Sequence, residues 1–144
     1  MYHYTECGLQ NVWLENGYKG HKTPYGHGIS IEDVAGLHRV IGRAIARQPR
    51  LTGAELRFLR KELQMSQRTL AGLLGISEQN VSLWERHGKI PKWGARLVKV
   101  LYMETIDGNV HVKKMIEQLN EQDNKKAEAL HFKTNREGHW KTAA

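Results

Sequence analysis

The spacing of apolar positions changes along the chain, and the first change separates a strand-like region from a helical one. Residues 1–29 are rich in tyrosine and glycine and show no helical period, so they predict short strands and turns. The run Val12 to Leu14 is β-prone, and Asn16-Gly17 after it is typical of a hairpin turn. Pro24 predicts a loop or an edge strand, because proline has no N–H to donate to a sheet.

A helical period follows these turns. Apolar residues recur at steps of three and four from Ile31 to Ile45, which predicts a helix with one buried face. Ser30 is the expected N-cap, with Asp33 as its acidic partner in a capping box. The helix should end before Pro49. Residues 1–50 are therefore interpreted as a small N-terminal region of short strands plus one helix.

Residues 51–106 carry the start and stop signals of four helices. The expected N-caps are Thr52, Ser66 and Ser77, and the expected stops are Gly75 and Gly88. The fourth helix is expected from Pro91, in the first helical position, to about Glu104. The region therefore predicts a helical domain with short connections.

The C-terminal part of the chain has a weaker pattern. Residues 107–132 predict a C-terminal helix whose apolar stripe runs from Val112 to Leu119. Residues 133–144 have no period and are expected to be disordered. The predicted fold class is mainly α: a small α+β N-terminal region, a helical domain and a C-terminal helix.

Charge and cysteine content narrow the classes of function. The chain carries 22 Lys and Arg against 15 Asp and Glu, a net charge of +7, and most of the excess lies in residues 51–104. This balance indicates either an anionic partner, nucleic acid first, or a mildly basic surface that only serves solubility. The single cysteine, Cys7, excludes an intramolecular disulfide and a zinc site built mainly of thiolates. With no membrane-spanning apolar run and no secretory signal, the expected location is cytoplasmic.

Residues 66–86 form one recognisable unit, in which two short helices meet at a tight turn. Ala71 is small where the helices cross, Gly75 provides the positive φ of the turn, and Leu70, Val81 and Trp84 share the inner face. This pattern resembles the helix-turn-helix of phage repressors and Cro, the XRE family, over roughly residues 52–104. The positions that carry the resemblance are Leu56 to Arg60, Gln67, Leu70-Ala71, Gly75-Ile76-Ser77, Val81-Ser82, Trp84-Glu85 and Lys89-Ile90-Pro91.

The resemblance implies duplex DNA as the partner, with the helix 77–87 in the major groove. The side chains expected to read bases are Ser77, Glu78, Gln79, Ser82, Leu83 and Arg86. Gln79 suits an adenine edge and Glu78 a cytosine amino group. Leu83 either contacts a thymine methyl or packs against a neighbouring helix, and Arg86 reaches a guanine or a phosphate.

Phosphate contacts are expected at helix ends and their flanks. The candidates are Gln67, Arg68, Asn80, Lys89 and Lys92. Gln67 takes this role from the resemblance, whereas Arg68 is equally well explained as a solvated surface residue. Glu85, at the acidic position of the family, is expected to make a structural bond instead. A homodimer is expected, through the helix ending at Glu104 or through the Val112–Leu119 stripe, which alternatively packs within its own chain.

The order of the parts resembles that of MqsA-type antitoxins, which place a zinc-binding domain before an XRE helix-turn-helix. Here Tyr4-Thr5-Glu6-Cys7-Gly8 is similar to a zinc knuckle whose first cysteine has become Tyr4. The other family thiolates have no counterpart, although four N and S donors remain: His3, Cys7, His21 and His27. The favoured interpretation is a knuckle without metal, held by packing of the aromatic rings Tyr2, Tyr4, Trp13 and Tyr18.

The predicted function is a sequence-specific DNA-binding transcriptional regulator, a repressor in preference to an activator. The alternative is an antitoxin whose N-terminal region binds a toxin while the helix-turn-helix autoregulates the operon. A third possibility is a metal-dependent or thiol enzyme in residues 1–50. No Ser-His-Asp set, paired carboxylates or phosphate-binding glycine loop stands out, so no enzymatic activity and no cofactor are expected.

Overall fold

The computed structural model of the protein describes residues 1–108, Lys114 and residues 129–143. Over these residues the protein is mainly α-helical with small antiparallel strand pairs, as the sequence predicts. The elements in chain order are β1 (Tyr2–His3), β2 (Trp13–Leu14), β3 (Tyr18–Thr23), β4 (Gly26–Ile31), α1 (Val34–Arg47), α2 (Gly53–Glu62), α3 (Gln67–Leu74), α4 (Glu78–His87), α5 (Lys92–Ile106), β5 (Phe132–Thr134) and β6 (Trp140–Thr142). In this part of the chain, no helix is long and apolar enough to cross a membrane.

The N-terminal strands pair differently from the sequence prediction. β1 pairs with β2 and β3 pairs with β4, so Asn16-Gly17 connects two separate strand pairs and the hairpin predicted there is wrong. Gly17 does adopt positive φ (78°), but its carbonyl accepts the N–H of Glu32 at 2.9 Å and so closes the open end of the β3–β4 hairpin. Pro24 lies in the turn of that hairpin, which agrees with its prediction as loop.

Helix α1 begins later than predicted. Ser30 is not its N-cap, because Ser30 lies in β4 opposite Lys19 and its hydroxyl bonds His21 Nε2 at 2.6 Å. Asp33 takes that place, with a left-handed φ of 43° and a side chain that accepts the N–H of Gly36 at 3.0 Å. The end of the helix, with Gln48 as C-cap before the proline, is confirmed.

The cap residues predicted for helices α2 to α4 are confirmed. Thr52 forms a full capping box with Glu55, and Ser66 and Ser77 each accept the N–H three residues on. Gly75 and Gly88 end α3 and α4 in left-handed conformations, both with φ of 71°. One detail differs: Pro91 is extended (ψ 151°) and occupies the N-cap of α5, so the helix starts at Lys92.

One hydrophobic core joins the helices and the N-terminal segment. Its fully buried side chains include Leu56 on α2, Leu70 on α3, Val81 on α4 and Tyr102 on α5. Tyr4, Leu9 and Leu14 from the N-terminal segment belong to the same core. Around them the Tyr2 ring packs on Tyr18, with centroids 5.5 Å apart, and the His3 ring stacks on Trp13 at 4.1 Å. Of the aromatic residues proposed to hold this segment, Tyr4 lies in the core and Tyr2 and Tyr18 pack against it, whereas Trp13 is 56% exposed and stacks on His3.

The C-terminal residues correct one prediction. The tail expected to be disordered forms a hairpin of β5 and β6, with Phe132 opposite Thr142. The cause is local turn chemistry: the Asn135 side chain accepts the N–H groups of Glu137 and His139, and Gly138 has a φ of 81°. The C-terminal helix predicted over 107–132 and its Val112–Leu119 stripe lie largely outside the described residues, which omit 109–113, 115–128 and 144.

Candidate functional site

Helix α4 presents a polar face outward. Val81 is fully buried on its inner side, whereas Ser77, Glu78, Gln79 and Arg86 are exposed. Positions 78, 79, 82, 83 and 86 follow the spacing of one helix face, so the predicted base-reading side chains are brought together. Ser82 and Leu83 are half-buried at the edge of this face. We call these five side chains, together with Ser77 at the helix start, the outer face of α4.

Leu83, for which two roles are predicted, lies at the edge of the outer face of α4. It is half-buried, so it is partly shielded from water. It nevertheless does not belong to the side chains that pack on the hydrophobic core within the described residues. The Leu83 methyl groups therefore add an apolar spot to an otherwise polar helix face.

A buried ion pair fixes the position of α4. Arg60 on α2 donates two hydrogen bonds to the Glu85 carboxylate, from Nε at 2.9 Å and from Nη2 at 3.0 Å. The third donor, Nη1, reaches the carbonyl of Met65 at 2.9 Å. The Arg60 and Glu85 side chains are 11% and 5% exposed. The expectation that Glu85 makes a structural bond is confirmed, whereas its pairing with Arg60 was not predicted from the sequence.

Close packing around the end of α4 adds to this rigidity. A Cβ on Gly53 would lie 2.3 Å from the carbonyl oxygen of Glu85, so the start of α2 rests directly on the α4 backbone. On another side, the Trp84 ring lies edge-on to Trp93, with centroids 5.9 Å apart, and would touch a Cβ on Gly94 at 3.2 Å. Because backbone meets backbone at Gly53, α4 has little freedom to rotate about its axis.

The predicted phosphate-binding residues occupy two helix starts and one loop. Gln67 is the first residue of α3 and is half-buried, and its Nε2 donates to Glu85 Oε1 at 3.4 Å. Arg68, the next residue, and Asn80 in the first turn of α4 are exposed. Lys89 follows α4 and Lys92 opens α5, and both are exposed. The structure thus places these residues around α4 but ties the Gln67 amide partly to the buried ion pair.

The candidate zinc donors of the N-terminal region are engaged separately. His3 bonds the carbonyl of Gln10 at 2.7 Å, and the Cys7 thiol donates to the carbonyl of Tyr4 at 3.4 Å. His21 bonds Ser30, and His27 lies on the paired strand β4. Within residues 1–108, 114 and 129–143, no group of three or more His, Cys, Asp or Glu side chains is placed to hold a metal ion.

A hydrogen-bonded chain that the sequence interpretation missed ties the N-terminal segment to the helices. The Tyr4 hydroxyl lies 2.8 Å from His38 Nε2, and His38 Nδ1 lies 2.5 Å from Glu62 on α2. Burial raises the pKa of the Tyr4 phenol above its usual value, and the nearby Cys7 thiol adds to this. These contacts span 34 and 24 residues of sequence, so no local pattern could reveal them.

Comparison of the chain with protein-family models, with curated proteins and with solved structures gives no match. The function has to be inferred from the chemistry of the chain's own residues. The strongest feature is the outer face of α4: adjacent exposed donors and acceptors on a short helix that a buried ion pair holds in place.

Proposed function

We propose that the protein is a sequence-specific DNA-binding transcriptional regulator, acting as a repressor, that inserts α4 into the major groove of duplex DNA. The observation that carries this proposal is the outer face of α4, fixed from behind by the Arg60–Glu85 pair. A reading helix needs side chains with defined positions, because base edges are distinguished by hydrogen bonds with narrow geometry.

Base reading is assigned to the side chains that α4 exposes. Gln79 carries an amide that both donates and accepts, which suits the N6 and N7 atoms of adenine. Glu78 accepts from a cytosine amino group, and the apolar Leu83 meets a thymine methyl. Ser77, Ser82 and Arg86 complete the reading face, with Arg86 directed at a guanine or a phosphate.

Backbone contacts are assigned to the residues that surround α4. Lys89 and Lys92 are exposed after α4 and at the start of α5, and Arg68 and Asn80 lie in the first turns of α3 and α4. Such contacts set the register of the helix on the DNA without reading its sequence. The excess of basic over acidic residues in 51–104 supports this assignment, since it favours an anionic partner.

One α4 helix covers only a few base pairs, so useful specificity requires a homodimer on two half-sites about 34 Å apart. The helix α5 offers an exposed apolar side for this purpose, with Leu97 and Val100 at 45% and 58% exposure. A bacterial-type regulator of this kind acts in the cytoplasm, where its target DNA lies.

Two substitutions with matched controls test the assignment. Gln79→Ala is expected to cost about 1–3 kcal/mol on the preferred duplex and to relax preference at one base position. Gln10→Ala, an identical change at an exposed N-terminal position, is expected to change neither. Lys89→Ala should weaken all duplexes alike and reduce the salt slope by about one unit, and Lys19→Ala on β3 is its control. Unchanged affinity and preference for Gln79→Ala would reject the orientation given to α4.

A second candidate is an antitoxin whose N-terminal region binds a protein toxin. The observation that favours it is an apolar groove of about 320 Å³ between β2 and α1, beside which Trp13 and Val40 are 56% and 67% exposed. Large exposed apolar side chains around a groove are typical of protein-binding surfaces. A small basic protein should then copurify with the chain from its native host, and Val40→Glu should release it while DNA binding persists. Failure of any partner to copurify would remove this candidate.

A further inference from the structure

A second cavity is lined by cations. It has a volume of about 560 Å³ and lies between the segment that joins α1 to α2, the loop after α4 and the first turns of α5. Arg50 contributes from the joining segment, and Lys92, Arg96 and Lys99 contribute from α5. We call this space the basic cavity.

The charged side chains that line the basic cavity are all cationic. None of the described residues that line it is acidic. Lys92, Arg96 and Lys99 are spaced by four and three residues, so they share one face of α5, where like charges repel each other. An anion in the cavity would relieve this repulsion.

Two further features favour a phosphate group. Lys92, the first residue of α5, lines the cavity, and the N-cap Pro91 makes no side-chain hydrogen bond to the first N–H groups of the helix. The first N–H groups of a helix carry partial positive charge that adds to that of the cations. Lys99 Nζ also donates to the carbonyl of Gln48, which holds this side chain against the joining segment.

The cavity also has an apolar part. Leu51 is buried and Ile90 is half-buried, and both line the cavity beside the charged groups. Its volume falls within the range of about 300–1,000 Å³ that is typical of small-molecule sites. Four cations are more than a single phosphate monoester requires. Inorganic phosphate has no apolar part that could pack on Leu51 and Ile90.

We propose that the basic cavity binds an organic polyphosphate of nucleotide size, with its phosphates on the four cations and its organic part against Leu51 and Ile90. The binding itself does not depend on the function proposed above. Because Lys92 is also a proposed DNA phosphate contact, the ligand and DNA would compete for this side chain. That competition, unlike the binding, rests on the proposed function and would make the ligand an effector that releases DNA.

Calorimetric titration of the full chain without DNA tests the proposal, with ATP, pyrophosphate and adenosine as probes. ATP is expected to bind with one-to-one stoichiometry, pyrophosphate more weakly, and adenosine not at all. The double variant Arg96→Gln/Lys99→Gln should weaken ATP binding about tenfold or more, because it removes two of the four cations. Lys19→Gln/Lys22→Gln, which removes the same charge from β3, should leave ATP binding unchanged.

Several results would overturn the proposal. Equal weakening by the two double variants would mean general attraction by a basic protein, and absence of ATP binding would mean no site. Equal affinity for pyrophosphate and ATP would exclude the role of Leu51 and Ile90. If the Arg96→Gln/Lys99→Gln variant does not fold, Arg50→Gln replaces it, with the same expected loss. Binding of ATP by a chain that selects no DNA would defeat only the proposed function.

Discussion

Replacing Glu85 by alanine is expected to destabilise the protein severely while leaving its surface charge pattern almost unchanged. The carboxylate is 5% exposed and accepts two hydrogen bonds from Arg60, which is itself 11% exposed. Glu85→Ala leaves the guanidinium buried, with the Met65 carbonyl as its remaining hydrogen-bond partner among the described residues. Breaking a buried pair by removing one partner typically costs about 3–5 kcal/mol. Since small domains are stable by about 5–15 kcal/mol, this is a large fraction of the total.

A double-mutant cycle separates the pair from the individual side chains. Arg60→Met/Glu85→Leu removes both charges and is expected to recover most of the loss, because a buried ion pair and an apolar pair of similar volume are often close in stability. The recovery should fall short by about 1 kcal/mol, since the Met65 carbonyl loses its donor. Urea unfolding followed by helix circular dichroism and by tryptophan fluorescence measures each variant.

Glu78→Ala is the matched control, because Glu78 is an exposed carboxylate on the same helix. Only its favourable interaction with the α4 N-terminus is lost, an effect of about 0.3–1 kcal/mol. The reasoning would be refuted if Glu85→Ala cost less than about 1 kcal/mol, or if the double variant were as unstable as the sum of the single ones.

Four further predictions concern packing, ionisation and capping. Gly42→Ala should destabilise the protein by about 2–4 kcal/mol in urea unfolding, because its Cβ would lie 2.0 Å from the Tyr102 hydroxyl oxygen. Gly72→Ala, with open space around it, should stabilise α3 by about 0.5–1 kcal/mol. Equal effects of the two substitutions would contradict the close approach of α1 and α5. Tyr102→Phe should be neutral or stabilising, because the buried hydroxyl has no hydrogen-bond partner among the described residues. Burial raises the pKa of Tyr102 above 10.0, so the folded state keeps a proton that the unfolded state loses at high pH. The free energy of unfolding should therefore fall above about pH 10, and it should fall less steeply in Tyr102→Phe than in the parent chain. Parallel curves of stability against pH would count against this. Ser66→Ala should cost about 1 kcal/mol through loss of the α3 cap, and no loss in a thermal melt would contradict the capping geometry.

The helices of this protein could be predicted from sequence because their start and stop signals are local. Ser66 and Ser77 each cap through a bond to an N–H three residues on, and Gly75 provides a left-handed turn, so a short window contains the whole cause. The strand pairing could not be predicted in this way. Asn16-Gly17 specifies a turn but not which strands lie beside it. Ser30 has the side chain of a helix cap, but its hydroxyl is hydrogen-bonded to His21 on the opposite strand of the hairpin.

In the candidate site, too, the features with a local cause could be predicted from the sequence and the long-range contacts could not. Helical spacing alone predicts that Glu78, Gln79 and Arg86 share an exposed side of α4, and the structure agrees. The partner of Glu85 could not be read from sequence, because Arg60 is 25 residues away and both side chains are of types usually found exposed. For the basic cavity, the spacing of Lys92, Arg96 and Lys99 indicates that three cations share one helix face. Arg50 comes close to them only through the fold, so the sequence does not reveal the cavity itself.

Selection of bound duplexes from a random DNA pool by the purified protein tests the proposed function most directly. Proteins that contact only phosphates retain DNA without a preferred sequence, so the consensus itself reports base reading. The proposal predicts a near-palindromic consensus with half-sites about one helical turn apart, and Gln79→Ala should relax one base position in each half. A retained pool without consensus, or no retained DNA at all, would contradict the assignment of α4 as a base-reading helix.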